Sequence, residues 1–235
     1  MIQCRKKLLL FGGSGQISGS VKVKFSDKNW DVYPVVRAAN AEVSTAITWD
    51  VLAGKNIPDS LKVQSPFDAV CWAQGANLND SIYTFDRANH QALYEANVLF
   101  VLVSLSQLLK AGLLVKSAKL CIVSSIWQEI SRQNKLSYAI SKSALRGLVL
   151  SLANDLAEDG YLVNAVLPGA LDTPMTRSNL SEEQILLIEQ STKFNRLATL
   201  GDVASTIYFL CSEENTGLTG QFLKVDLGFS NVRNI

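Results

Sequence analysis

Leu8-Leu9-Leu10-Phe11-Gly12-Gly13-Ser14-Gly15-Gln16-Ile17-Ser18-Gly19 is the stretch on which the fold turns. Four apolar residues in a row show no alternation, so a strand there is covered on both faces. The glycine cluster at its exit permits a sharp bend and lets backbone N–H groups come close to a ligand at the N-terminus of a following helix. Ser20, Val21, Val23 and Ser26 are mediocre helix formers, so position more than composition assigns a helix after the turn.

Further apolar runs at 32–36, 46–48, 69–72, 120–123, 162–166 and 222–225 read as short buried strands. Two helices are easily read, 86–109 and 137–157, the second with Leu145, Leu148, Val149, Leu152 and Leu156 at helical spacing. Segment 37–45 is too short for a substantial helix, and 50–66 leaves room for a modest one. Strands separated by helices predict an α/β fold: a single doubly wound Rossmann-type domain over residues 1–235, with a parallel sheet of about seven strands. No linker or internal repeat divides the chain, and 235 residues suit one such domain.

A formal net charge of +1 without a basic block gives no case for nucleic acid. The apolar run after Lys6-Lys7 stops at Gly12, too short for a signal peptide. The run 98–115 is interrupted by Ser104, Ser106, Gln107 and Lys110, short of the roughly 18 consecutive apolar residues of a membrane span. A soluble, cytoplasmic protein with no membrane partner is expected. Cys4, Cys71, Cys121 and Cys211 form no C-x-x-C pair and read as small buried hydrophobes. His90 is the sole histidine, so neither a metal site nor a histidine triad is supplied, and it reads as a helix residue without catalytic duty.

Tyr138 and Lys142 stand four apart at the start of the second helix, with Ser125 thirteen residues upstream of the tyrosine. Residues i and i+4 share a helix face, and an ammonium beside a phenol favours the phenolate. Such a pair can serve as an acid catalyst without histidine, metal or cysteine. A Tyr-x-x-x-Lys alone arises readily by chance, and its meaning depends on its surroundings. Arg37 follows the second strand, where an adenosine ribose lies in a dinucleotide fold. No carboxylate stands nearby, and an arginine there pairs with a 2′-phosphate, which favours NADP(H) while leaving NAD(H) possible.

Together these residues resemble the short-chain dehydrogenase/reductase family over nearly the whole chain. The family's glycine turn, T-G-x-x-x-G-x-G, falls on Phe11 to Ser18 and keeps Gly12, with Gln16 and Ser18 at the other glycine positions. In the register G-x-x-G-x-x-G the match is Gly12, Gly15 and Ser18. Asp50-Val51 resembles the pair that flanks the adenine. Trp72-Ala73-Gln74-Gly75 stands where the family has N-N-A-G. Asn97, Ser125, Tyr138 and Lys142 match the catalytic tetrad. Asn164 to Gly169 and Thr173-Pro174-Met175 resemble the segment packed against nicotinamide, and Gly217 to Gly228 the final strand.

The resemblance implies a nicotinamide dinucleotide held by Gly12, Ser14, Gly15, Gln16, Ile17, Arg37, Asp50, Val51, Gly75, Tyr138, Lys142, Pro168, Gly169 and Thr173. It implies reversible hydride transfer to a carbonyl substrate. Tyr138 then acts as general acid and base, Lys142 lowers its pKa and holds ribose hydroxyls, Ser125 binds the substrate oxygen, and Asn97 secures a water relay. It implies a homodimer or homotetramer built through helices 86–109 and 137–157. Segment 173–196, with a helix start at Ser181-Glu182-Glu183-Gln184, is expected to form a substrate lid, and Leu78, Trp127, Gln128 and Ala170 to line the pocket. Two alternatives stay open: a dinucleotide-binding sensor or scaffold without turnover, motivated by Gln16, Ser18 and the altered 72–75 loop, and a nucleotide-sugar epimerase or dehydratase, which the Gly12/Gly15 register permits. Arg37 and the short segment after the last strand oppose the latter.

Overall fold

The computed structural model describes residues 5–38 and 45–232. Cys4 and most of segment 37–45 lie outside these. One parallel sheet carries β1 (Lys7–Phe11), β2 (Asp31–Val36), β3 (Ile47–Thr48), β4 (Phe67–Trp72), β5 (Leu114–Val123), β6 (Leu162–Pro168) and β7 (Phe222–Val225) in the order β3-β2-β1-β4-β5-β6-β7. The strand order reverses between β1 and β4, which opens a crevice at the carboxyl ends of the strands.

β1 shows why its run is unbroken. Leu9 and Phe11 join the core on one face with Trp72, Val101 and Val149, while Leu8 and Leu10 join the opposite core with Phe25 and Ile207. Leu8, Leu9, Leu10 and Phe11 are all fully buried, each worth about 1.5–3 kcal/mol over exposure. α1 (Gln16–Asp27) forms despite its composition because Val21 and Phe25 are buried in the second core, where α8 (Leu200–Cys211) also lies. α8 went unread in the sequence, although a capping box of Thr199 and Asp202 marks its start. α2 (Asp59–Gln64) is the modest helix expected in 50–66.

One continuous helix, Arg87–Lys110, follows β4. It comprises α3 (Arg87–Tyr94), a π turn (Glu95–Leu99) and α4 (Phe100–Lys110). By length and composition it is apolar enough to cross a membrane, which corrects the count of consecutive residues: Ser104 and Ser106 break the run without making the helix polar. Val98, Val101, Leu105 and Leu108 belong to the core beside the sheet. Ser104 Oγ donates to Phe100 O at 2.7 Å and accepts from the buried Trp72 Nε1 at 2.9 Å, so neither polar group is stranded.

α5 (Leu136–Asp155) follows β5 and carries Tyr138 and Lys142. Beyond β6 come α6 (Pro174–Asn179) and α7 (Glu182–Gln190), the latter opened by the Ser181/Gln184 capping box that its sequence announces. Cys71, Cys121 and Cys211 are buried free thiols, as expected of small hydrophobes.

Candidate active site

The glycine turn is held by backbone contacts to both neighbouring strands. Gly13 N donates to Val35 O at 2.9 Å, and Ala73 N to Phe11 O at 3.1 Å. Gly12 adopts φ +78°, and a Cβ there would lie 2.6 Å from Gln74 N, so no other residue fits. Gly15 begins α1 without a side-chain cap, and the first turn holds no acidic residue. The N–H groups of that turn, short of helical partners, therefore remain open to an anion where Gly15, Gln16 and Ile17 line a cleft. Ser18 turns inward and is buried, so its departure from glycine leaves the cleft clear. Ser14 is exposed outside it.

The second rim is the loop after β4. Asn97, on the π turn, accepts from Ala76 N at 2.8 Å and donates through Nδ2 to Ala76 O at 3.1 Å and Ser141 Oγ at 3.0 Å. Its amide thereby ties the Gly75-Ala76 segment to α5, and both ends of that side chain are engaged by protein. A Cβ on Gly75 would lie 3.4 Å from Asn97 Oδ1 and 3.5 Å from Lys142 Nζ, so the backbone passes directly beside the lysine.

Tyr138, Ser125 and Lys142 converge on the cleft. Ser125 Oγ accepts from Trp127 N at 3.3 Å, which leaves its own hydrogen available to the cleft that it lines. Burial raises the Tyr138 phenol above its ordinary value, and the nearby Ser125 hydroxyl opposes this in part. The sequence reading assigned Lys142 the lowering of that phenol. In the structure the Lys142 ammonium lies 5.6 Å from the ring centroid and donates to Val123 O at 3.2 Å. It is itself pulled down to about 8 by burial, so desolvation outweighs attraction for both groups.

Three residues unread as functional complete the surroundings of Tyr138. Lys135 Nζ lies 5.2 Å from its ring centroid. Asp80 is buried and receives Ser137 N at 3.0 Å and Ser137 Oγ at 2.5 Å. His90 Nδ1 sits 2.8 Å from Ser137 Oγ; because that hydroxyl donates to Asp80, Nδ1 is the donor. The sole histidine thus supports the catalytic helix. Only the adjacency of Ser137 to Tyr138 hints at this in sequence, since Asp80 is 57 residues away.

The cleft measures about 790 Å³ and is lined by Gly15, Gln16, Ile17, Gly75, Ser125, Tyr138, Lys142, Pro168, Gly169 and Thr173 among the residues singled out from sequence. Gly12, packed against the Gln74 backbone, does not line it. Arg37 is exposed at the end of β2 with no hydrogen bond or ion pair among the described residues. Asp50 Oδ1 accepts from Ala53 N at 3.3 Å, and Val51 is core; all three stand off the cleft. Gly169 is required because a Cβ would lie 2.7 Å from Asp226 Cβ. Thr173 Oγ1 caps α6 by accepting from Thr176 N at 3.1 Å. Trp127 and Ala170 line the cleft as expected. Leu78 does not, and Gln128 is turned into the interior, its amide unpartnered among the described residues. From segment 173–196, Leu180, Gln184, Leu187, Ile188 and Thr192 form one wall.

The family model described as enoyl-(acyl carrier protein) reductase matches residues 61–230, and the chain belongs to the short-chain dehydrogenase/reductase family. It is an oxidoreductase of that family. Uncharacterized oxidoreductase YmfI of Bacillus subtilis is 29% identical over 95% of this chain and 98% of its own length. The 7alpha-hydroxysteroid dehydrogenase of Escherichia coli K12 is 34% identical over 60% of this chain and 55% of its own. Among solved structures, a short chain dehydrogenase family protein of Francisella tularensis superposes with TM-score 0.83 at 25% identity, covering 97% of this chain and 99% of that one. ElxO with NADP bound superposes with TM-score 0.84 at 22% identity over 97% and 100%.

The family implies a nicotinamide dinucleotide, and the residues fit one. The open first turn of α1 suits a pyrophosphate. Lys142 is 4% exposed, faces no carboxylate within 4.0 Å among the described residues and has one acceptor, Val123 O. A buried ammonium has three donors, so its other N–H groups suit ribose hydroxyls.

Proposed function

We propose that the chain reduces a ketone or aldehyde, or oxidises the corresponding alcohol, with NADP(H) favoured over NAD(H) and Tyr138 as general acid and base. The observation that carries this reading is the convergence of Ser125, Tyr138 and the buried Lys142 ammonium on one cleft. When bound, the nicotinamide supplies or accepts the hydride.

Tyr138 delivers its phenolic proton to the substrate oxygen as charge grows there, a role worth about 10²–10⁴-fold. Its raised pKa keeps that proton in place at neutral pH, which suits the reductive direction. Ser125 turns its free hydrogen toward the same oxygen and stabilises its charge. Lys142 lowers the cost of the phenolate once the proton has left, and its remaining N–H groups would hold ribose hydroxyls. Gly15, Gln16 and Ile17 would hold the pyrophosphate, and Arg37 a 2′-phosphate. Asn97 fixes the Gly75-Ala76 loop beside Lys142 and anchors the water relay that returns a proton to Tyr138.

The same reading makes 173–196 the substrate lid, with Leu187 and Ile188 of α7 excluding water from the reacting groups. It also makes the protein a cytoplasmic homodimer or homotetramer, with exposed Leu99, Leu102, Ile140 and Leu150 covered by a second copy. A panel of ketones and aldehydes assayed with both reduced nucleotides tests the proposal. Oxidation of NADPH with at least one carbonyl, faster than of NADH, is expected. Binding of NADPH without turnover of any carbonyl would leave a nucleotide sensor instead.

A further inference from the structure

The outer end of the cleft is built almost wholly of hydrogen-bond donors. Lys135 is 5% exposed, and its Nζ donates to Asn77 Oδ1 and Asn79 Oδ1, both at 2.6 Å. A lysine offers three donors and accepts nothing, so both amides must present oxygen to it. Their Nδ2 groups, in turn, have no acceptor among the described residues. Arg132 stands beside them with its guanidinium 5.8 Å from the Trp127 ring centroid, and neither it nor Lys135 has a carboxylate within 4.0 Å among the described residues. Asp80 reaches Lys135 only through its field, because both its oxygens are taken by Ser137. Asp226, a carboxylate that also lines the cleft, is engaged by Gly228 N, Ser230 N and Ser230 Oγ.

A wall of cations and amide N–H groups, with Lys135 buried, Asn77, Asn79 and Arg132 exposed and its acceptors consumed internally, is matched by an anion. It uses none of the residues assigned to the pyrophosphate, Gly15, Gln16 and Ile17, which line the same cleft. Both ammonium groups lie near the Tyr138 ring, at 5.2 and 5.6 Å from its centroid, but Lys135 reaches Asn77 and Asn79, whereas Lys142 reaches Val123 O beside Gly75.

We propose that Lys135, Arg132, Asn77 and Asn79 form an oxyanion-binding rim, and that the substrate is a carbonyl compound bearing a carboxylate or phosphate away from its reacting carbon. This rests on the carbonyl-reductase reading for the substrate's other end, but the rim itself is tested without turnover. A substrate oxyanion on Lys135 and a carbonyl beside Ser125 and Tyr138 place two anchors on either side of the phenol, which orients the reacting carbon.

Calorimetric titration of the full chain with two matched pairs tests it: 4-oxopentanoate against its methyl ester, and dihydroxyacetone phosphate against dihydroxyacetone. At least one acid binds about tenfold or more tighter than its neutral partner, the range expected of a charge-assisted contact, and the preferred pair identifies carboxylate or phosphate. Lys135→Met and Arg132→Gln each reduce that preference, whereas Lys135→Arg retains it, separating loss of charge from misfolding. Equal affinity within each pair, no binding of any of the four, or a preference that survives both Lys135→Met and Arg132→Gln overturns the rim. Preferential binding sensitive to Lys135 but no NADPH oxidation with any carbonyl supports the rim and removes the reductase reading. Oxidation with both members of a pair at equal affinity does the reverse.

Discussion

Asp80 and Ser137 are joined twice: one carboxylate oxygen accepts from the Ser137 backbone N–H at 3.0 Å and the other from its hydroxyl at 2.5 Å. Lys135, the residue before α5, makes no side-chain cap, so a carboxylate from the loop after β4 supplies one instead. Because Ser137 is followed directly by Tyr138, the contact aims the phenol. Asp80→Ala is expected to cost about 1–3 kcal/mol of stability, measured by urea unfolding. It should lower kcat more than it raises KM, since orientation rather than substrate contact is lost. Unchanged kcat in a destabilised variant would reduce Asp80 to a structural cap.

The Lys142 side chain carries a stability signature that can be read from pH. Its folded pKa of about 8 lies below the unfolded value of 10.5. Below pH 8 both states hold the proton and the burial cost is fully present. Between the two values the unfolded chain binds more protons, so stability rises with pH. At about pH 9.5 the gain reaches about 2 kcal/mol. Lys135 slopes the same way, and Tyr138, with its raised pKa, opposes it above pH 10. The difference between wild type and Lys142→Met over pH 7 to about 9.5 therefore isolates the lysine. The variant should be more stable at pH 7, with a flatter pH profile and no turnover. Parallel profiles would show that the amine is not desolvated.

Gly12→Ala places a methyl group against the Gln74 backbone at a φ that side chains rarely adopt. It should weaken NADPH binding at least about tenfold and lower the melting temperature, because the turn and the 73–75 loop must part. Nucleotide affinity equal to wild type would contradict the geometry of the turn.

Arg37→Asp exchanges a partner for a 2′-phosphate with one for a 2′-hydroxyl. The ratio of kcat/KM for NADPH over NADH should fall by about 10²-fold, the worth of a charge-assisted pair lost and a repulsion added. A ratio that does not move would place nucleotide discrimination elsewhere.

Parallel strands announce themselves as unbroken apolar runs, which is why Leu8 to Phe11 and Leu120 to Val123 could be read directly. The Tyr138/Lys142 pair was legible because helical spacing alone brings those residues together. Lys135, Asp80 and His90 were not, since their contacts join the loop after β4, α3 and the start of α5 across the fold and no periodicity records them. The direction of the Tyr138 shift was also hidden: composition reveals a neighbouring ammonium, but only packing reveals that desolvation exceeds its attraction. α8 was overlooked although its Thr199/Asp202 box is a local signal.

The central claim, that Tyr138 delivers the proton, is met most directly by NADPH oxidation in Tyr138→Phe with a carbonyl that the wild type reduces. The phenyl ring keeps the packing and removes only the hydroxyl. A fall in kcat of about 10²-fold or more, with NADPH affinity and melting temperature close to wild type, is predicted. Turnover within about twofold of wild type would mean that some other group supplies the proton, contradicting the account.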